Sequence, residues 1–294
     1  MAVINRPIFD KIVNLRFYKR GGGFDEILMP PTGIKPNITI QGSYITSDII
    51  GSVNLRIVNF YSTTPLNEYE YIEIFCGYRG SLTGTIKGQV WIAYQESPSP
   101  DGVTYFQLQT AGSFTGFVNA IMARTHWDLG CQVNIVLQDI VDAMTAYVGR
   151  PITLQSTISQ LINLTHPLDY NGVVKDLMTL LQGSYIGPKF NYRMDGDTLF
   201  VWPGDGSTQR VFPINYFSSP PTRFAAGMTF SSPWFPDLRP GDIIQIDPKY
   251  SKQTYTGSIT ELPRNLVVQS IEYEFNTVIP QNHMSVYALN TAAA

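Results

Sequence analysis

The sequence predicts a mainly β protein, α+β in detail, with two β-barrel domains and a small helical segment between them. Three observations predict it. Residues 71–110 spell three strands and two turns in period-two alternation. Between residues 134 and 182 the apolar period lengthens to three and four, which marks helices. From Phe190 onward short alternating runs return, punctuated by Asp, Gly and Pro. The expected division is a first barrel over 1–115, a helical α+β connecting domain over 116–189 and a second barrel over 190–294. Strands from 116–133 can complete that second barrel.

The first unit opens with strand-like pieces at Val3-Ile4 and over 12–18, interrupted by Gly21-Gly22-Gly23. Residues 37–42 and 52–60 alternate again, with Val53, Leu55 and Ile57 on one face. In the central meander Ile72, Ile74 and Cys76 point one way and Tyr71, Glu73 and Phe75 the other. Ile86, Val90 and Ile92, then Phe106 and Leu108, continue the apolar side, and Ile72, Ile74, Ile86, Val90, Phe106 and Leu108 are expected to share one core. Residues 97–102, containing Asp101-Gly102, read as a hairpin turn.

The helical segment carries its own signals. Val136, Leu137, Ile140, Val141, Met144 and Val148 form a stripe over 134–148, stopped by Gly149 before Pro151. A second helix is expected over 173–182, with Val174, Leu177, Met178 and Leu181 inward, Asp169 or Asn171 as cap and Gly183 as stop. Both stripes read as core packing. In the last third, Asp195-Gly196-Asp197 reads as a tight hairpin turn, and residues 238–246 as a turn feeding a strand.

Composition narrows the class. Hydrophobic residues make up 44% and charged ones 15%, enough apolar content for real cores and too little charge for a disordered chain. A net charge of −3 argues against a protein built to grip nucleic acid. Two cysteines cannot make a disulfide scaffold or a thiolate zinc site, and Cys76 falls on an apolar strand face as a buried free thiol. The absence of a long apolar run predicts no membrane helix and no export segment, hence folding in a cytoplasm.

Chemistry-bearing patterns are sparse. His126, His166 and His283 lack ligand-like neighbours, and no zinc-protease, nucleophile-elbow or phosphate-loop motif occurs. Asp195, Asp197 and Asp205 lack the distal Glu of a calcium loop and read as turn residues. Glu68, Glu70, Glu73 and Glu96 read as solvent-facing strand residues, and Asp139 and Asp142 as helix-surface residues. Lys11, Arg16, Lys19 and Arg20 form a basic stretch, either a solvated strand face or a set of contacts to acidic neighbours. No catalytic, cofactor-binding or metal-binding residue is expected.

Taken in order, several segments resemble the baseplate hub proteins of contractile phage tails and related injection machines. They are Gln41-Gly42, residues 52–59, residues 72–78, Gly84 to Gly88, the helical middle, and the late Leu238-Arg239-Pro240-Gly241-Asp242 turn with its strand. The resemblance implies a homotrimer capping the distal end of the tail tube, with two tube-like barrels per subunit. Three subunits then present a pseudo-sixfold ring between a hexameric tube protein and a trimeric spike, beside wedge or peripheral proteins. DNA would pass through the lumen without specific binding, and the protein would be a virion component assembled in the host cytoplasm. It implies no catalytic residues and no cofactor. The alternative is a cell-wall-binding or hydrolytic tail component, which would gather exposed aromatics or paired carboxylates in one cleft. Trp91, Trp127, Trp202 and Trp234 are expected in cores instead.

Overall fold

The structure, a computed structural model, describes residues 11–30, 35–45, 51–78, 83–96, 102–110, 114–186, 189–214, 217–219, 221–224, 226–233, 235–246, 252–255, 258–261, 265–279 and 283–290. The strand at Val3-Ile4, most of the 97–102 turn and Trp234 lie outside these residues. The chain opens with seven strands: β1 Lys11–Lys19, β2 Phe24–Ile27, β3 Ile38–Ile45, β4 Ser52–Val58, β5 Tyr69–Tyr78, β6 Thr83–Glu96 and β7 Val103–Gln109. A mixed segment follows: α1 Phe114–Asn119, β8 Ile121–Trp127, α2 Val133–Val148, β9 Thr153–Ser156, β10 Leu168–Val173, α3 Val174–Leu180, β11 Phe190–Asp195 and β12 Thr198–Pro203. Then come β13 Val211–Ile214, β14 Thr222–Phe224, β15 Gly227–Ser232, β16 Ile243–Ile246, β17 Lys252–Tyr255, β18 Ser258–Glu261, β19 Asn265–Asn276 and β20 His283–Asn290.

The protein is mainly β, as expected, but its two ends share one sheet. Thirteen strands pair along the path β14-β15-β20-β19-β3-β4-β7-β6-β5-β1-β2, with β16 branching from β19 and carrying β13. No closed barrel forms through strand pairing among the described residues. The reason lies in β19, which is 12 residues long. One of its edges serves two partners, β16 through residues 265–267 and β3 through residues 270–276. A register shift between Val268 and Ser270 re-aims the strand between them. Alternation within a strand reveals its faces but not its partners, so this junction is invisible to periodicity.

The sheet curls round its apolar side. Phe17 of β1 lies 5.4 Å from Phe106 of β7, although β5 and β6 separate the two strands in the sheet. Tyr78 of β5 likewise reaches Phe275 of β19, at 5.8 Å. Ile72, Ile74, Ile86, Phe106 and Leu108 are all buried in one core, and Val90 packs against it partly buried. The same core holds Met228, Phe230, Ile244, Val268, Ile271, Met284 and Val286 from the C-terminal strands. Cys76 is a free, fully buried thiol, and burial drives its pKa well up.

Residues 117–201 build a second core. The stripe of α2 faces into it, and Val133 is its first helical residue and fully buried. Gly149 ends α2 in the left-handed conformation, φ 73°, its N–H bonded to Thr145 O at 2.9 Å. α3 is shorter than expected and widens into a π-type turn over Leu181–Tyr185. Neither proposed cap is used: its N-cap is Val173, and Asp169 and Asn171 stay in β10. The β11–β12 hairpin turns at Gly196, φ 59°, and places Phe190, Tyr192, Met194, Leu199 and Val201 in this second core.

Candidate functional site

The face of the large sheet turned away from its core carries mostly polar side chains. Cross-strand register lines up Ser231, Ser285, Glu272, Ser43 and Ser52 in one row. The same row continues through Gln109, Gln89, Tyr71, Tyr18 and Phe24. It crosses ten strands with one carboxylate and no cation. A neighbouring row runs His283, Glu274, Gln41, Asn54, Gln107, Ile92. These side chains are exposed or half-buried. Two shallow depressions, about 370 and 350 Å³, open on this face along β19 and β20 and are lined mainly by Ser, Thr, Asn and Gln.

Where charges do occur towards the β2 edge, they cancel. Arg16 meets Glu26 at 2.9 Å and Glu73 at 3.7 Å, and Lys87 meets Glu73 at 3.2 Å. Lys19 meets Asp25 at 2.6 Å. Within the basic N-terminal stretch Arg16 and Lys19 thus contact acidic neighbours, Arg20 is exposed, and Lys11 is buried, 5% exposed. Glu73 is held by two cations and by the Tyr18 hydroxyl, which donates at 3.1 Å. Glu96 sits at the end of β6 and accepts from Tyr105. Glu73 shares a shallow depression of about 260 Å³ with Glu26, and Arg16 pairs with both carboxylates there.

A second polar constellation joins the two cores. Asp242 is fully buried; its Oδ1 accepts from Thr208 at 2.8 Å and lies 3.4 Å from the Arg193 guanidinium. Its Oδ2 accepts the Arg239 N–H at 2.9 Å, which closes the turn before β16. Arg193 comes from β11 of the second unit and also donates to the Pro240 carbonyl. Arg239 reaches Asp195 at 3.5 Å and lies over the Tyr44 ring at 4.6 Å. Burial pushes the Asp195 carboxyl up, but Arg239, Arg193 and Arg210 outweigh it and hold the group below the usual range. Gly241 carries the left-handed turn, φ 86°, and a Cβ there would lie 2.6 Å from the Trp202 ring. Sequence reasoning saw the Leu238 to Asp242 turn but missed the joint, because Arg193 lies 49 positions from Asp242.

The remaining candidates stay dispersed. His126 bridges Asp169 at 2.9 Å and Asp128 at 3.2 Å on the exposed β8–β10 pair. Hydrogen bonds to Asp169 and then Asp128 raise its pKa above 6.5. Its small stabilising contribution is complete below pH 6.5 and fades as pH rises through the raised value. An NMR titration should therefore place the His126 midpoint above 6.5, and Asp169→Asn should bring it down. His166 bonds to its neighbour Thr165 and lies edge-on to the Tyr185 ring, and His283 lies beside Glu274. Asp197 pairs with Arg150, as a turn residue. Trp127 and Trp202 are core residues, whereas Trp91, expected there, is 62% exposed on the outer half of β6. Among the described residues no group of three metal-ligating side chains forms, and no helix is long and apolar enough to cross a membrane.

No protein-family model and no curated protein matches the sequence. Solved structures do match the fold. A component of the type VI secretion system of E. coli, itself described as similar to tail proteins of bacteriophage T4, aligns with TM-score 0.58 at 11% identity, over 88% of this chain and 75% of that one. A prophage tail protein from Shewanella oneidensis aligns with TM-score 0.55 at 7% identity, over 97% of this chain and 100% of that one. A tail protein from Neisseria meningitidis gives 0.53 at 10% identity, over 96% and 97%. The segments that resemble hub proteins thus sit in the matching architecture: this chain has the fold shared by these tail and secretion-system proteins.

Proposed function

We propose that this protein is a structural component of a viral tail, a homotrimeric baseplate hub that caps the tail tube and adapts its sixfold symmetry to a threefold spike. The observation that carries the reading is the cation-free, mostly polar row across ten strands of one sheet. A surface that must let a polyanion slide past needs wettable groups and no fixed cations, because every phosphate held by Lys or Arg slows release. Serines, glutamines and one carboxylate meet that need along this row, with Arg56 of β4 a cation on the same face. We assign this face to the lumen. The two tube-like units are the sheet's N-terminal strands and its strands from β13 onward, with residues 114–204 as the connecting unit carried outside the ring. Heterologous contacts between three copies close such a ring. In this reading the ring contacts the tube protein on one side, the spike on the other and the wedge proteins outside, and no residue acts catalytically.

Electron microscopy of the assembled tail tip tests the assignment: three copies are expected on the central axis, with the β3–β4–β7 face lining the channel. Six copies, or a position off the axis, would sink it. One observation favours a second reading as a cell-wall-binding tail component. Trp91, Ile92 and Tyr94 are exposed together, with Tyr94 stacked on Tyr105 at 5.0 Å. Retention of the purified protein on peptidoglycan, abolished by Trp91→Ala, would support that reading over the hub.

A further inference from the structure

The long strand β6 changes partners along its length. Residues 83–89 pair with β5 on one edge, and residues 89–96 pair with β7 on the other. The sheet curls away through β5, β1 and β2. From Ile92 to Glu96 the edge turned from β7 therefore has no strand partner among the described residues. The short 3-10 turn Leu66–Glu68 lies near β6 without adding a ladder. An unpaired edge presents a row of backbone N–H and C=O groups, and natural sheets protect such edges with charge, Pro or brevity. The β2 edge follows that rule, with Asp25 and Glu26 within four residues. The β6 edge does not: Ile92-Ala93-Tyr94-Gln95-Glu96 holds no Lys or Pro, and its one charge stands at the end.

The run of strands that ends at β6 begins at β14. In order it is β14-β15-β20-β19-β3-β4-β7-β6, eight strands, and every neighbouring pair in it is antiparallel. With an even number of alternating strands, the first and the last run in opposite directions. β14 of one copy set beside β6 of another is then antiparallel too, and the alternation passes from copy to copy unbroken. β14, Thr222–Phe224, pairs with β15 alone among the described residues, so its outer edge is open as well. The side chains also match. Stacked aromatic pairs stand on the polar face at both ends of the run: Tyr94 on Tyr105, centres 5.0 Å apart, and Phe224 on Tyr287 at 5.3 Å. Ile92 is 44% exposed, Tyr94 50% and Tyr287 38%, apolar surface that a single copy leaves wet.

Resting on the hub reading above, we propose that the outer half of β6 is the docking edge for a second copy of this chain, which lays its β14 against it as an antiparallel strand. Each copy offers its β6 edge to one neighbour and its β14 edge to the other, a head-to-tail contact that closes into a ring. Backbone hydrogen bonds along the two edges hold the copies together, as in any strand added to a sheet. Phe224 of the neighbouring copy comes beside Ile92 and Tyr94 and joins the two aromatic stacks. The polar face then runs from one copy into the next, as a continuous lumen surface requires.

Disulfide trapping in assembled tail tips tests the contact. Cys131→Ser first removes the half-buried native thiol. On that background, Tyr94→Cys combined with Phe224→Cys should oxidise to a covalent trimer on a denaturing gel, and reductant should return it to monomer. Each substitution alone should stay monomeric. A covalent dimer from Tyr94→Cys alone would overturn the proposal, because β6 would then meet β6. A map of the wild-type tip with three axial copies but other elements between them would overturn it too, while leaving the hub reading intact. Covalent ladders longer than three would uphold the β6–β14 contact and overturn the threefold hub instead. The wild-type map decides by itself if the variants fail to fold: β6 abutting β14 of the next copy is the expected result.

Discussion

Asp242→Ala should destabilise the protein by about 3–5 kcal/mol, the usual cost of removing one partner from a buried ion pair. The carboxylate is fully buried and serves three groups at hydrogen-bonding distance: the Thr208 hydroxyl, the Arg239 N–H and the Arg193 guanidinium. Its loss strands Arg193, which is 4% exposed and cannot turn to water. It also opens the turn that feeds β16. Arg193→Met should cost less, because Asp242 then keeps Thr208, the Arg239 N–H and, at 3.8 Å, Arg210. Urea denaturation of both variants checks the order. Equal midpoints for wild type and Asp242→Ala would mean that the joint contributes nothing to holding the two cores together.

Phe106→Ala should cost about 3–5 kcal/mol, the range for deleting a buried aromatic from a packed core. Phe106 is 1% exposed and lies within 6.2 Å, ring centre to ring centre, of Phe17, Phe60 and Tyr69. These rings come from β1, from the segment after β4 and from β5, so the cavity would open where the sheet closes over itself. Ile74→Ala, also fully buried, should fall at about 2–5 kcal/mol. An unmoved melting temperature for both would contradict the strand register.

The polar face was legible residue by residue. Gln89, Gln107 and Gln109 alternate with buried neighbours in the sequence itself, and register then set Gln89 beside Gln109 and Gln107 in the next row. Exposed Trp91 was misread because a register shift between Val90 and Ile92 breaks the period that would have shown its side. Lys11 was misread for a different reason. Its place in β1 says nothing of the 276–279 turn that covers it.

By itself the sequence determined what short-range chemistry can specify: the strand faces, the helix α2 with its Gly149 stop, the buried thiol of Cys76 and the hairpin at Gly196. Each follows from side-chain period or backbone freedom within a few residues. Only the tertiary structure decided that both ends of the chain enter one sheet, that the β11–β12 hairpin belongs to the second core, and that Arg193 meets Asp242. These depend on which long strand edges find each other and on desolvation between distant residues. Loop closure across tens to hundreds of positions leaves no periodic mark on the sequence, so nothing local records those partners.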